Sequence, residues 1–538
     1  MLQAEGALVG SGAGGRIASG SFPMLMALLT GVAQAASLAW PWDVSNVVGG
    51  AVLARGAPLW WLQLLCMATL VGLLLRAASV LRAAALGGLF ALGWLSAGFG
   101  WLYTSMHSYG DLSAPLAALA VVTLGAALAL YYATACMLFR LLAPVNQAFA
   151  ALAFAALWTL AELARGQWLT GFGWGAIGYA HLDGPLQAGF AWLGVYGVGA
   201  VAAALAAGLA LLIQVGTLRS KWPSAVLVVA LVMLASAMPV ASGVAQGHLR
   251  VTLLQGNIAQ EEKFQPATGV LQALRWYGEQ LRGAQGDLVI TPETAFPVLP
   301  EQLPEGYWQA MEHRFATGEQ AALVGMPLGD YERGYTNSVV GWRPGALETW
   351  RYDKHHLVPF GEFIPPLFRW FTDLMHIPLG DFSRGALPQP TFDWVGQRIA
   401  ATICYENLFS EEMAKQFADA ATAPTLLLNI SNLGWFGAHL AMDQHLQIAR
   451  ARALEFDRTF LLTTNTGHTA IVDHRGVVTH QMAPHSAGVL NATVQGRSGI
   501  TPYARWSARW GQLPLWMLAL TGLAWATWRY RHNRPHRG

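Results

Sequence analysis

The run Ile399-Ala400-Ala401-Thr402-Ile403-Cys404-Tyr405-Glu406-Asn407 is apolar up to a cysteine, then turns at once to an aromatic ring, a carboxylate and an amide. Its first half has the β-branched and small apolar residues of a buried strand. Such a strand delivers Cys404 at its C-terminal edge, where α/β domains place the groups that meet ligands. A structural cysteine would fit within the strand itself, and Glu406 two residues on argues against a purely apolar setting. Similar short β-rich runs recur at 250–254, 288–291, 321–326, 425–430 and 459–464, with helical stretches at 268–282, 305–317 and 443–455. The alternation predicts an α/β domain built as a layered sandwich of sheets and helices.

Two further segments of this region carry chemistry. In Leu288-Val289-Ile290-Thr291-Pro292-Glu293, proline breaks an apolar strand and a carboxylate sits at its exit. In Tyr352-Asp353-Lys354-His355-His356-Leu357-Val358-Pro359-Phe360-Gly361-Glu362, charges, rings and breakers suit a loop that presents Lys354 and Glu362. Either segment alone reads as an ordinary surface turn. A glutamate after a strand, a lysine in a loop and a cysteine after a strand, in that order, are far more specific together. A free thiol has a pKa near ~8.5, so Cys404 needs a base or a nearby cation to attack as thiolate. Glu293 can take the thiol proton and return it to a leaving group. Lys354, with the backbone N–H of Tyr405, suits the developing oxyanion.

Outside this region the composition changes. Hydrophobic residues make up 54% of the 538 and charged residues 12%, about half the usual charged share. The 23 tryptophans fit a protein with rings at a bilayer's interfacial belts. Apolar stretches at 22–40, 57–75, 83–103, 114–137, 144–163, 187–214, 222–244 and 513–528 are near the roughly 20 residues a spanning helix needs. About eight transmembrane helices are therefore expected. Ala33-Gln34-Ala35 in the first resembles a signal-peptidase site, so a cleaved signal is the alternative there. Arg16, Arg76, Arg82, Arg140, Arg219, Lys221 and the tail arginines Arg529, Arg531, Arg534 and Arg537 all fall on one side of that arrangement, which the bias of basic loops makes cytoplasmic. The loops at 103–113 and 168–186 and the α/β domain fall on the other. Arg165 is the exception, read as a side chain snorkelling from a span end.

The expected organisation is a membrane domain over 1–246, with about seven spans, an extracytoplasmic α/β domain over 247–508, and a last span with a basic tail over 509–538. Cys404 is the only cysteine of the middle domain, whereas Cys66 and Cys136 fall in spans as small packing residues. A lone thiol in an oxidising compartment is a hazard unless it has a use. The net charge of +2, without a basic run before the tail, excludes nucleic acid as a partner. His355, His356, His439, His445, His468, His474 and His480 lack metal-ligand spacing with acidic partners, so no metal and no cofactor is expected. Gly171-Phe172-Gly173-Trp174-Gly175 follows a span rather than a strand, which excludes a nucleotide loop and suggests a membrane-surface loop near the site.

Glu293, Lys354 and Cys404 match the Glu-Lys-Cys triad of the nitrilase superfamily, and nearly the whole chain resembles bacterial apolipoprotein N-acyltransferases. The resemblance runs through Trp168-Leu169-Thr170-Gly171-Phe172, Leu182-Asp183-Gly184-Pro185, Tyr352-Asp353-Lys354 to Phe363, Phe382-Ser383-Arg384-Gly385, Ile403-Cys404-Tyr405-Glu406, Trp435-Phe436-Gly437, Ala451-Arg452-Ala453-Leu454-Glu455 and Gly499-Ile500-Thr501-Pro502-Tyr503-Ala504-Arg505. It implies a multi-pass protein of the bacterial inner membrane whose α/β domain faces the periplasm. It implies two membrane-embedded substrates: a phospholipid acyl donor, typically phosphatidylethanolamine, and the α-amine of the diacylglyceryl-cysteine of a maturing apolipoprotein. By the same resemblance Glu362 and Glu406 orient Lys354, and Tyr405 and Trp435 line the acyl or amine route. The chain departs from the family at Phe264, where a tryptophan is usual, and at Leu433, where an acidic residue is usual. A membrane-tethered amidase with another acceptor and a non-catalytic membrane scaffold are the alternatives. The scaffold requires a missing triad member, and none is missing.

Overall fold

Long apolar runs without internal charge form helices that cannot satisfy their surfaces in water. The computed structural model describes residues 13–44, 53–142, 147–214, 218–239, 243–330, 332–346, 348–365 and 382–532. Pro144, Arg534 and Arg537 lie outside the described residues, as do the side chains of Arg16, Arg219, Arg529 and Arg531. The first half comprises α1 (Ala13–Leu38), α2 (Trp60–Leu75), α3 (Val80–Gly98), α4 (Ala114–Leu142), α5 (Gln147–Gln167), α6 (Phe190–Ile213) and α7 (Leu218–Ala237). Among the described residues five stretches are long and apolar enough to cross a membrane: Ser21–Leu38, Val80–Gly98, Ala114–Leu142, Phe149–Thr170 and Gln187–Ile213. Trp60–Leu75, Lys221–Ala235 and Leu513–Trp528 are apolar but shorter. The stretch expected to run to Val244 ends as a helix at Ala237, and Val244 already begins a strand.

These helices pack through small residues and rings, as apolar helices do where burial from water supplies little drive. A Cβ on Gly31 would lie 2.0 Å from the Phe90 carbonyl oxygen, and one on Gly93 2.4 Å from that of Leu28. The backbones of α1 and α3 therefore touch. Trp158 centres the bundle, stacked on Trp94 at 5.9 Å and against Tyr132 at 4.7 Å.

The α/β half opens with β1 (Val244–Gln255), α8 (Leu271–Gly283), β2 (Leu288–Ile290), α9 (Tyr307–Thr317), β3 (Ala321–Asp330), β4 (Gly334–Trp342) and β5 (Trp350–Asp353). It continues with β6 (Phe392–Trp394), β7 (Gln397–Ile403), β8 (Leu426–Ser431), α10 (Ala441–Phe456), β9 (Thr459–Thr464), β10 (Ala470–Val472), β11 (Val478–Gln481) and β12 (Gly488–Ser498). One six-stranded sheet has the order β12-β1-β2-β3-β4-β5 and the other β11-β10-β9-β8-β7-β6. Each has a parallel centre, β1-β2-β3 in the first and β7-β8-β9 in the second, with antiparallel edges.

Side chains alternate across a strand, and the two sheets use both faces. Leu249, Val251, Leu253, Leu288 and Ile290 meet Ile399, Ala401, Ile403, Leu426 and Leu428 between the sheets. Val289, Ala322 and Val324 face outward onto α8 and α9. Ala400, Leu427 and Phe460 face outward onto α10. Strands covered on both sides read as continuous apolar runs. The chain then forms α11 (Pro502–Trp510), which crosses the expected boundary at 508, and α12 (Leu513–His532).

α10 is the seam between the halves. Gln444 Oε1 accepts from the indoles of Trp101 at 3.1 Å and Trp174 at 2.7 Å, and its Nε2 donates to the Gly98 carbonyl at 3.2 Å. α6 breaks at Gly194, whose φ is +67°, and the N–H of Val195 donates to Glu455 Oε1 at 2.7 Å. Two expectations change here. The loop at 168–186 is exposed only at its start, at Trp168 and Leu169; Trp174, Ala176, Ile177 and Leu182 are buried between α6 and α10. Arg165 does not snorkel; it is 1% exposed and donates to the carbonyls of Phe172 and Trp174, both at 2.6 Å, and to the Tyr132 hydroxyl at 2.8 Å.

Arg165→Met leaves those two carbonyls without their donor, at a cost of about 1–3 kcal/mol for each buried unmatched group. The thermal midpoint of the detergent-solubilised protein is expected to fall by at least ~2 °C. Arg76→Met, at an exposed arginine, is expected to leave it in place. Equal midpoints for the two variants remove the loop-clamping role.

Candidate active site

Cys404 follows β7 directly and opens the short 3₁₀-helix Cys404–Leu408 with φ +52°. A non-glycine residue held in this region costs on the order of 1–3 kcal/mol. The turn is held from both sides. Asn429 on β8 donates to Thr402 Oγ1 at 3.0 Å and to the Cys404 carbonyl at 3.1 Å, while Glu406 Oε2 accepts from the Ile403 N–H at 2.7 Å. Cys404 is half-buried at the end of the central parallel strands, as its sequence implies.

Glu293 leaves β2 through Thr291 and Pro292. The loop lies hard against β3 because position 325 is glycine: a Cβ there would sit 2.2 Å from the Pro292 carbonyl oxygen. Glu293 is 6% exposed, and Oε1 accepts from Asn337 Nδ2 at 2.7 Å and from Lys354 Nζ at 3.3 Å. Its Oε2 accepts from the Asn432 N–H at 2.8 Å. Lys354 leaves β5 with its N–H bonded to the Asn337 carbonyl at 2.8 Å. Its Nζ also donates to Glu362 Oε1 at 2.8 Å, and Asn337 Nδ2 reaches the same oxygen at 2.8 Å. One amide therefore bridges two carboxylates around one ammonium.

Burial alone would raise the Glu293 pKa, but Lys354, Asn337, Lys263 and the Asn432 N–H outweigh it and hold the carboxyl below its usual 4.5. For Lys354, burial opposes the charge, and Glu362 and Glu293 more than restore it, so the ammonium titrates above its usual range. Burial and then the Glu293 charge push the Cys404 thiol above its usual 9.0. The resting site is thus a neutral thiol facing an ionised carboxylate and a fixed ammonium. A base positioned this way can take the thiol proton as sulfur attacks.

The structure brings Glu293, Lys354, Cys404 and Glu362 together. Glu406 is buried close by, but its carboxylate bonds elsewhere. Besides the Ile403 N–H it accepts from the N–H groups of His355 at 2.7 Å and His356 at 3.1 Å and from Tyr352 OH at 2.9 Å. It shapes the loop that follows Lys354 rather than orienting the amine directly. Tyr405 is buried, and its hydroxyl donates to the Gly171 carbonyl at 2.9 Å, so it joins the halves rather than forming an open wall. Trp435 is 38% exposed, stacked on Phe264 at 6.5 Å and edge-on to Tyr109 at 5.7 Å. Leu433 is buried.

Sequence reasoning misses Asn337, Asn432 and Lys263. A polar Thr-Asn-Ser run inside a strand, at 336–338, is a signal for the first. Asn432 lies inside the Ser-Asn-x-x-Trp-Phe-Gly stretch. Nothing marks Lys263 in the polar run Gln260-Glu261-Glu262-Lys263.

The family model for the carbon-nitrogen hydrolase domain matches residues 250–503, and that for the apolipoprotein N-acyltransferase N-terminal domain matches 49–208. The chain therefore joins a nitrilase-superfamily enzyme domain to an apolar helical bundle. Apolipoprotein N-acyltransferases from Verminephrobacter eiseniae and Ralstonia nicotianae are 53% and 44% identical to it. The first alignment covers 94% of this chain and 97% of the relative, the second 83% and 86%. The solved carbon-nitrogen hydrolase from Helicobacter pylori G27 matches at 15% identity over 46% of this chain and 89% of that one, with a TM-score of 0.32, too low to carry weight. The chain belongs to the apolipoprotein N-acyltransferase family.

Asn337→Ala separates two buried carboxylates from their shared donor. Losing hydrogen bonds to charged groups costs about 1.5–3 kcal/mol, so turnover is expected to fall by about tenfold to a hundredfold and the thermal midpoint to fall with it. Turnover at the parent level would reduce Asn337 to a spacer.

Proposed function

We propose that the protein transfers an acyl chain from a membrane phospholipid, through a Cys404 thioester, to the α-amine of the diacylglyceryl-cysteine of an apolipoprotein. The observation that carries this reading is the buried Glu293 carboxylate, bonded to Lys354 Nζ at 3.3 Å and to the Asn432 N–H at 2.8 Å, at the same end of the sheets as Cys404. In the first half-reaction the sulfur attacks the donor's ester carbonyl as Glu293 takes the thiol proton. Lys354 Nζ and the Tyr405 N–H hold the oxyanion; the latter lies in the first turn of its 3₁₀-helix, where N–H groups lack intrahelical partners. Collapse of the adduct expels the lysophospholipid oxygen, which recovers the proton from Glu293. In the second, Glu293 takes a proton from the acceptor amine as nitrogen attacks the thioester carbonyl. The sulfur then leaves and regains that proton. Glu362 holds Lys354, and Trp435 with Phe264 borders the mouth.

The reading keeps three parts close to 1–246, 247–508 and 509–538, with the α/β part opening at Val244 on β1 and α11 running on to Trp510, and all eight apolar helices cross the inner membrane, the three shorter ones included. The basic loops support a cytoplasmic side for them and a periplasmic α/β domain. A reporter fused after Arg505 is then expected to behave as periplasmic and one after Arg537 as cytoplasmic. Matching behaviour at both points would overturn the orientation.

With phospholipid and no acceptor, the protein is expected to gain the mass of one acyl chain and release lysophospholipid. A lipopeptide with a free α-amine, or hydroxylamine, should discharge it. Cys404→Ser and Glu293→Gln are expected to lose almost all acylation, since an alcohol is harder to ionise than a thiol and the amide cannot accept the proton. Lys354→Arg keeps the charge but not its point geometry and should lose most turnover. Acyl mass on Cys404→Ala, or product without any acyl-enzyme, would overturn the two-step route.

A further inference from the structure

A second lysine is buried beside the triad, and the mechanism above gives it no part. Lys263 is 1% exposed, and its Nζ donates to the main-chain carbonyl of Glu293 at 3.1 Å. The Glu293 carboxylate itself is taken by Lys354, Asn337 and the Asn432 N–H. The Phe264 ring centre lies 6.0 Å from Nζ. Holding one carbonyl does not require a cation, since a neutral donor would serve. Burying an amine whose bonded partner is a carbonyl is costly, so the placement calls for a use of the charge. The groups it faces electrostatically are the Glu293 carboxylate and the Cys404 thiol.

We propose that Lys263 is a positioning residue for the nucleophile: its ammonium fixes the strand-exit carbonyl that carries Glu293 and sets a second positive charge towards the Cys404 sulfur. The thiol proton still passes to Glu293, and Lys263 neither gives nor takes it. The charge lowers the cost of forming the thiolate.

That charge is conditional. Burial pushes the Lys263 amine down to about 7, against the pull of Glu293 and Cys404. It is an ammonium below that pH and a neutral amine above it, so its help to the sulfur is present on the acid side and fades as pH rises. Four neighbours keep one state between about pH 5.5 and 8.5. Glu293 is held low, and Lys354 and the Cys404 thiol are held high. Burial takes His445, which meets the Cys404 carbonyl, down to about 4. Burial also pushes Glu406 up to about 7; it faces Lys354 and backbone N–H groups and is common to parent and variant. Glu261 and Glu262, on the same segment, are exposed.

The proposal rests on Cys404 being the nucleophile, and its test needs no lipid. Alkylation of Cys404 by iodoacetamide, in which sulfur displaces iodide and its proton is lost, is followed by mass in the full-length protein across pH. Cys404→Ala supplies the background from Cys66 and Cys136. Lys263→Met is expected to react about tenfold more slowly than the parent near pH 6, the effect of about one unit in thiol pKa, and the gap to narrow towards pH 8.5, where only the lost bond to the Glu293 carbonyl still separates the two. Lys263→Arg, charged throughout, should react faster than the parent at the alkaline end. A ratio of Lys263→Met to parent that is the same at every pH, including unity, overturns the role of Lys263 and leaves the thioester reading standing. Failure of the parent's Cys404 to alkylate, together with no acyl-enzyme, overturns both.

Discussion

A carboxylate that must stay ionised out of reach of water sets the terms for the α/β half. Moving such a group from water costs several kcal/mol even after relaxation, and only close donors and opposite charge return it. The donors around Glu293 come from distant parts of the chain: Asn337 from β4, Lys354 from the exit of β5, Asn432 from the loop after β8. The sandwich brings them together by stacking two sheets whose parallel centres end on the same side. Gly325 lets the Glu293 loop approach β3, and Asn429 pins the turn that aims Cys404. Remove the need for that charge and these residues lose their common reason.

The site is also fastened to the helices. Tyr405, next to Cys404, bonds the Gly171 carbonyl, and His356, two residues past Lys354, meets the Thr170 carbonyl at 2.9 Å while stacking on Phe409. Two of the three segments that carry Glu293, Lys354 and Cys404 thus end in contacts with one loop of the apolar half. Arg165 holds that loop from beneath. An aromatic border made of Tyr109 from the helical half and Trp435 and Phe264 from the other completes the join.

Much of this is legible in the sequence because buried parallel strands must be apolar and their ends need not be. The runs before Glu293 and Cys404 stop where the sheet stops, and within three residues of each stop stands a member of the candidate site. The antiparallel strands β4 to β6 and β10 to β12 leave no such signal, being short or half-covered, with no long continuous apolar run. Arg165 is misread from sequence because a charge near a span end has two outcomes. Only the carbonyls of Phe172 and Trp174, folded back beneath it, decide between them. Glu406 shows a related limit: chain position gives proximity to Lys354 but not the direction of a carboxylate, whose hydrogen bonds here come from Tyr352 and three backbone N–H groups. Lys263 leaves no local mark because its use depends on a partner thirty residues along. Val244 shows the limit of composition, which cannot separate the tail of a membrane helix from the start of a strand, here an exposed one.

The break in α6 has a consequence for how the protein is made. Val195 finds its hydrogen-bond acceptor, Glu455, 260 residues later in the chain. Ribosomes deliver the apolar helices first, so α6 begins life with an N–H at the Gly194 kink that only the α/β half can satisfy. The helix reaches its final course after α10 has been synthesised, folded and seated against it. Insertion into the bilayer is therefore not the last act of assembly for the first half, and any chain stopped short of residue 455 carries a membrane bundle with an unfinished helix.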